Sequence, residues 1–178
     1  MSKFFKSKVF HSILEWTICL SLSVLLGIAL NKFVIMNAHI PSGSMEPTIM
    51  TGDDLFVNRL AYLFSEPKRF DIAVFKYPDN EELLYIKRII GLPGEKLEIK
   101  DGKVYINDSA VPLRDEFVNG EPLGDYGPYF IPLGCYFMLG DNRNNSQDSR
   151  FWNNKFVKKE QIVGKPIFGY APKLKWIK

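Results

Sequence analysis

The sequence predicts a mainly β protein, one antiparallel domain carried on a single N-terminal transmembrane helix. Three observations predict it. Ile13 to Met36 is almost unbroken apolar sequence, long enough for a bilayer-spanning helix. From Asp53 onward, short runs rich in β-branched and aromatic residues alternate with Gly and Pro. No helical periodicity of any length follows the apolar segment. The chain therefore divides into a basic tail (1–12), an anchor (13–36) and a β-rich domain (37–178).

In the anchor, Glu15 and Lys32 fall near the two ends, where a long lysine side chain can reach the interface. Trp16 suits the same boundary. Lys3, Lys6 and Lys8 precede the segment, and Lys32 and Arg59 are the nearest basic residues beyond it. The positive-inside rule then puts the tail in the cytoplasm and the β-rich domain outside. The alternative is a cleaved leader ending at Gly27-Ile28-Ala29. A leader's apolar region runs only ~7–15 residues, which favours a retained anchor. A run apolar all round fits a membrane span or the core of a large protein, and a chain of 178 residues favours the span over a buried core helix.

In the remainder, Asp54–Asn58, Asp71–Lys76, Leu83–Ile90, Lys96–Ile99, Lys103–Ile106, Tyr136–Leu139 and Ile162–Tyr170 read as strands. Asp101-Gly102 is a two-residue hairpin turn. Leu92-Pro93-Gly94 and Tyr126-Gly127-Pro128 read as turns or loops. A net charge of +3 is too mild for a nucleic-acid partner. Two cysteines, Cys19 and Cys135, make neither a disulfide framework nor a metal motif, and His11 and His39 cannot make a zinc site. No metal or cofactor is expected.

Three stretches carry candidate chemistry. In Ile40-Pro41-Ser42-Gly43-Ser44-Met45-Glu46-Pro47-Thr48, prolines fix the backbone around a glycine, a rigid setting that can present a hydroxyl. In Leu83–Ile90, strand alternation groups Lys87 with Leu83, Tyr85 and Ile89. Burial there would lower the lysine pKa, the condition for accepting a serine proton. Arg88 cannot do this, because its guanidinium stays charged. Gly140–Arg150 is a dense polar loop after an apolar strand, whose Asp, Asn and Ser side chains can shape a fixed turn. Asp148 and Arg150 can pair within it. Taken singly, each stretch is also compatible with an ordinary surface loop or edge strand.

Together, and in this order, they resemble the bacterial type I signal peptidases. The resemblance rests on the anchor, Pro-Ser-Gly-Ser-Met-x-Pro-Thr (Pro41 to Thr48), Arg-x-Asp-Ile-x-Val-Phe (Arg69 to Phe75), Tyr-x-Lys-Arg-x-x-Gly-x-Pro-Gly (Tyr85 to Gly94) and Gly-Asp-Asn-Arg-x-Asn-Ser-x-Asp-Ser-Arg (Gly140 to Arg150). It implies a β-rich fold of coiled sheets and a membrane-bound serine endopeptidase that removes signal peptides from exported preproteins. Cleavage would follow small residues at −3 and −1. Ser44 would be the nucleophile and Lys87 the general base. Ser42, with the Ser44 backbone N–H, would form the oxyanion hole. Ser146 would orient the lysine amine. Asp141, Asp148 and Arg150 would support the site. Ile40, Met45, Ile49, Tyr85 and Ile86 would line the substrate pockets. The implied partners are preproteins, the lipid bilayer and a nearby secretion translocon. The implied location is the bacterial cytoplasmic membrane.

One departure is Phe70, which stands where the family pattern has Gly. A Ser–His site built on His39 is the main rival chemistry, but five residues along a tight loop give no reason for correct geometry. The other rivals are a conjugation-type maturation peptidase with a similar dyad and a non-catalytic tethered β module.

Overall fold

A computed structural model describes residues 2–118 and 120–177, with side chains from Phe10 onward. The side chains of the tail lysines Lys3, Lys6 and Lys8 lie outside the described residues. The chain forms two compact units, Met1–Met36 and Asn37–Lys178.

In the first unit, helix α1 spans Ser2–Ala29 and passes into a π-helical turn at Leu30–Val34. The stretch Phe10–Val34 is long and apolar enough to cross a membrane. At 1.5 Å per residue its 25 residues measure about 37 Å, more than the ~30 Å of a hydrocarbon core. Its large apolar side chains Trp16, Leu20, Leu22 and Leu25 are all exposed. The helix runs without a break through positions 12 and 13, so tail and anchor share one element.

Eleven strands follow among the described residues: β1 (Ile35–His39), β2 (Asp54–Asn58), β3 (Ile72–Tyr77), β4 (Asn80–Gly91), β5 (Lys96–Lys100), β6 (Lys103–Ile106), β7 (Tyr126–Phe130), β8 (Cys135–Leu139), β9 (Val157–Lys158), β10 (Ile162–Ala171) and β11 (Lys175–Trp176). The larger sheet has the order β1-β2-β10-β3-β4-β8-β9, with β11 added on β10. A second sheet has the order β6-β5-β7. The registered pairings within both sheets are antiparallel. Asp101 and Gly102 turn between β5 and β6 with φ of 47° and 73°, the left-handed pair that a tight hairpin requires.

All seven strands read from the sequence are present, most within a residue or two of their expected ends. Four others were not legible. Ile35 and Met36 belong to β1 rather than to the end of the anchor helix. Tyr126-Gly127-Pro128 is not a loop but the start of β7. Pro128 is tolerated because β7 is an edge strand, where a missing N–H breaks no inner ladder. Gly127 (φ 100°) accommodates a register shift between Leu97 and Ile99. The two-residue strands β9 and β11 are too short to carry a periodicity.

The core forms three clusters, two of them on opposite faces of the central strands. Ala73, Phe75, Ile89, Met138 and Trp152 pack on one side. Ile90, Phe137 and Leu139 pack on the other, against Leu97, Ile99 and Val104 of the small sheet. Strand β4 is therefore buried on both faces from Lys87 to Gly91. The third cluster joins Ile40, Met45, Ile49, Leu55, Ile72 and Ile177.

Phe137→Ala, which empties the space between the two sheets, should cost about 3–5 kcal/mol in denaturant unfolding. Leu133→Ala, at a position 86% exposed, should stay within ~0.5 kcal/mol.

Candidate active site

Ser44 lies on the turn that leaves β1. The turn is pinned at its base, where Ile40 N–H donates to the Asp53 carbonyl at 2.9 Å and Gly52 N–H to the Ile40 carbonyl at 2.8 Å. Ile40, Met45 and Ile49 are buried in the third cluster and hold the turn from below. Across from it, Asn142 N–H donates to the Ser44 carbonyl and Asn142 Nδ2 to the Gly43 carbonyl, both at 3.1 Å. The serine backbone is thus fixed by the same polar loop that the sequence singles out.

Lys87 reaches this turn from β4, where it faces Ala73 of β3. Its side chain is buried because β4 is covered on both faces at this point, although Leu83 on the same face is exposed. Nζ donates to Ser44 Oγ at 2.6 Å and to the Ile86 carbonyl at 3.0 Å. Burial of the amine brings its pKa down from 10.5 to about 8, against the opposing pull of Asp148 and Asp141. A lysine of that pKa is neutral in about a tenth of molecules at pH 7 and about half at pH 8, and a neutral amine 2.6 Å from a hydroxyl can accept its proton.

Both carboxylates are already committed. Asp141 takes a bidentate pair of bonds from the fully buried Arg88, at 2.8 and 2.7 Å, and a third from Thr48 Oγ1 at 2.6 Å. Asp148 accepts from Arg150 Nε at 2.8 Å, Arg150 Nη2 at 2.9 Å and Gly140 N–H at 3.1 Å. The Asp148–Arg150 pairing read from the sequence is therefore present. Asp141 pairs instead with Arg88, the residue next to Lys87. Each carboxylate has a guanidinium to balance it, which limits how strongly it can hold the lysine protonated.

A cavity of about 530 Å³ opens over the pair. Ser42, Ser44, Lys87 and Ser146 line it, as do Ile40, Tyr85 and Ile86. Two expectations need correction. Met45 and Ile49 do not line the cavity; both are wholly buried beneath the turn, because the turn needs an apolar anchor. Ser146 lines the cavity, but its Oγ is buried with no hydrogen-bond partner, and the second bond of the amine goes to the Ile86 carbonyl. Ser146 instead packs on Gly140, where a Cβ would stand 2.3 Å from its Oγ. His39 is absent from the lining; its Nδ1 lies 2.8 Å from Asp54 Oδ1.

The sequence reading did not place Pro41, Leu84, Asn144, Asn145, Gln147 and Phe151, which complete the cavity wall. The amides lie inside the polar loop and were visible as part of it. Leu84 and Phe151 carried no signal beyond adjacency to the motifs. Arg143, also buried, was not singled out.

The family description "Signal peptidase, peptidase S26" matches residues 13–171. Probable signal peptidase I-2 of Synechocystis sp. is 38% identical over 155 residues, covering 84% of this chain and 69% of that protein. Signal peptidase I of Bacillus caldolyticus is 40% identical over 155 residues, covering 80% of this chain and 83% of that protein. The crystal structure of a signal peptidase I from Enterococcus faecalis V583 aligns with a TM-score of 0.49 at 35% identity, covering 57% of this chain and 97% of the other.

Replacing the buried amine should reveal what its burial costs. The unfolded chain keeps the lysine proton up to about pH 10.4, whereas the folded chain gives it up near 8. Between these values unfolding takes up a proton, so stability rises with pH and the penalty is largest below 8. Lys87→Met should be more stable than the wild type at pH 7, by on the order of 3 kcal/mol at most, and should lack that rise between pH 8 and 10. Denaturant melts of both proteins across this range would check it.

Proposed function

The chain belongs to the signal peptidase family S26, and on that premise we propose that it is a membrane-bound serine endopeptidase that removes signal peptides from exported preproteins with a Ser44–Lys87 dyad. The observation that carries the reading is the buried Lys87 amine, 2.6 Å from Ser44 Oγ, at the floor of an open cavity.

The chemistry runs in two halves. Neutral Lys87 takes the proton of Ser44 as Oγ attacks the scissile carbonyl. The oxyanion is received by the Ser44 backbone N–H and Ser42 Oγ; such donors contribute about 3–4 kcal/mol each in other serine proteases. The Lys87 ammonium then protonates the departing amine of the mature chain, leaving the signal peptide as an ester on Ser44. Water, deprotonated by Lys87, hydrolyses that ester and restores the free hydroxyl. Ser146, which lines the same cavity and keeps an unpartnered Oγ, is the side chain that would support the lysine amine. Asp141, Asp148 and Arg150 hold the loop that carries it.

Specificity for small residues at −3 and −1 fits the apolar lining of Ile40, Tyr85 and Ile86 above a floor already filled by Met45 and Ile49. The apolar helix supports anchoring in a membrane. With the tail lysines inside, the β-rich domain would face out of the bacterial cytoplasmic membrane, where the translocon delivers preproteins. A Ser–His reading is disfavoured because His39 is not among the residues lining the cavity and Ser44 Oγ is bonded to Lys87.

The full chain in detergent should cleave a preprotein bearing an Ala-x-Ala site after the second Ala, as read by product mass. Ser44→Ala and Lys87→Ala should each lose at least about a thousandfold in kcat, with the fold retained. Lys87→Arg should lose nearly as much, because a guanidinium does not give up its proton. Wild-type kcat/KM should rise as pH increases through about 8, because the neutral amine is the active form. A profile flat from pH 6 to 9, or cleavage by Lys87→Ala, would overturn the dyad.

A further inference from the structure

We propose that Asp115 and Phe117, in the irregular segment between β6 and β7, are positioning residues for the Ser44–Lys87 pair, acting through the buried guanidiniums of Arg143 and Arg88. The proposal rests on the function proposed above.

Three arginines lie buried around the site: Arg88, Arg143 and Arg150. A guanidinium cannot shed its charge, so each needs an anion. Arg88 and Arg150 take theirs, Asp141 and Asp148, from the polar loop itself. Arg143 takes Asp115, 28 residues upstream and outside every motif of the site.

Arg143 is the crosslink of that loop. Its Nε donates to the Gly140 carbonyl at 3.0 Å, and its own carbonyl accepts from Arg150 Nη2 at 2.6 Å. It therefore ties the entry of the loop to its exit across Ser146, and Asp115 fixes where it sits. The packing inside the loop is tight. A Cβ at Gly140 would stand 2.3 Å from Ser146 Oγ and 2.4 Å from the Ser44 carbonyl oxygen. A displacement of the Gly140 backbone is thus felt directly at both serines.

Phe117 acts through Arg88. Its ring centroid lies 3.6 Å from Arg88 Cζ and covers the guanidinium. The same ring packs against Phe70 at 5.4 Å. Arg88 Nη1 donates to the Phe70 carbonyl at 2.7 Å, and Phe70 holds a φ of 73° that a side chain ordinarily avoids. Phe117 braces both residues. Arg88 follows Lys87 in β4, so the seating of its side chain fixes the strand at the lysine.

A purely structural brace would change stability and leave turnover by the folded enzyme intact. A positioning brace lowers kcat with KM preserved, because the cavity wall remains while the reacting atoms lose alignment. The test uses the full chain in detergent and an Ala-x-Ala preprotein, at a temperature where near-UV circular dichroism finds each variant folded. Asp115→Asn should lower kcat about 10- to 100-fold with KM within about twofold, and Asp115→Glu should recover most of it. Phe117→Leu should lower kcat severalfold, giving a second, independent variant. The losses from Asp115→Asn and Arg143→Gln should combine less than additively, since both break one contact. Folded Asp115→Asn and Phe117→Leu turning over at the wild-type kcat would overturn the proposal, as would fully additive losses. If the wild type left the preprotein uncut, the function reading would fall. Positioning would then be read from the Lys87 15Nζ resonance, which should move in Asp115→Asn and would overturn the proposal by staying in place.

Discussion

The buried contact between the Lys87 amine and Ser44 Oγ is the constraint around which the domain is built. A primary amine in water near neutral pH is almost always charged and useless as a base. It becomes one only where the charged form is desolvated. That condition requires β4 to be buried on both faces at Lys87, and so requires apolar clusters on both sides of the strand. The small sheet β6-β5-β7 supplies one of them, and its Tyr126 also packs on Arg150 and Phe151 at the edge of the site. In this sense much of the fold serves to keep one nitrogen dry.

Dryness alone would not suffice, because Asp141 and Asp148 both pull the lysine back toward its charged form. Their engagement by Arg88 and Arg150 resolves the conflict. Each carboxylate can then fix the loop at Gly140 and the turn at Thr48 without acting as an unopposed counter-ion. Burying ion pairs is costly. Their placement directly behind the serine and lysine indicates that geometry, rather than stability, is what they supply.

The sequence disclosed much of this, but unevenly. Ser44 and Lys87 were legible as candidates because they sit in dense local motifs; strand alternation placed the lysine among apolar neighbours but left its pKa open. The strands with clear alternation were found; β7 was hidden by Gly127 and Pro128, whose turn chemistry is tolerated at a sheet edge. The pocket residues Met45 and Ile49 were misplaced because apolar side chains beside a nucleophile can line a cavity or anchor it from beneath, and periodicity does not distinguish the two. Ser146 was placed at the site, but its expected bond to the amine is absent. The partners of two buried arginines, Arg88 and Arg143, were the least visible. Arg88 meets Asp141 across 53 residues and Arg143 meets Asp115 across 28, separations that no local pattern encodes.

The most direct measurement is the pKa of Lys87 itself, by titrating the 15N-lysine-labelled full chain in detergent and identifying the resonance by its loss in Lys87→Met. The account predicts a midpoint near 8. A midpoint at or above about 10, the value of a lysine in water, would mean that the amine remains protonated at working pH and cannot be the base.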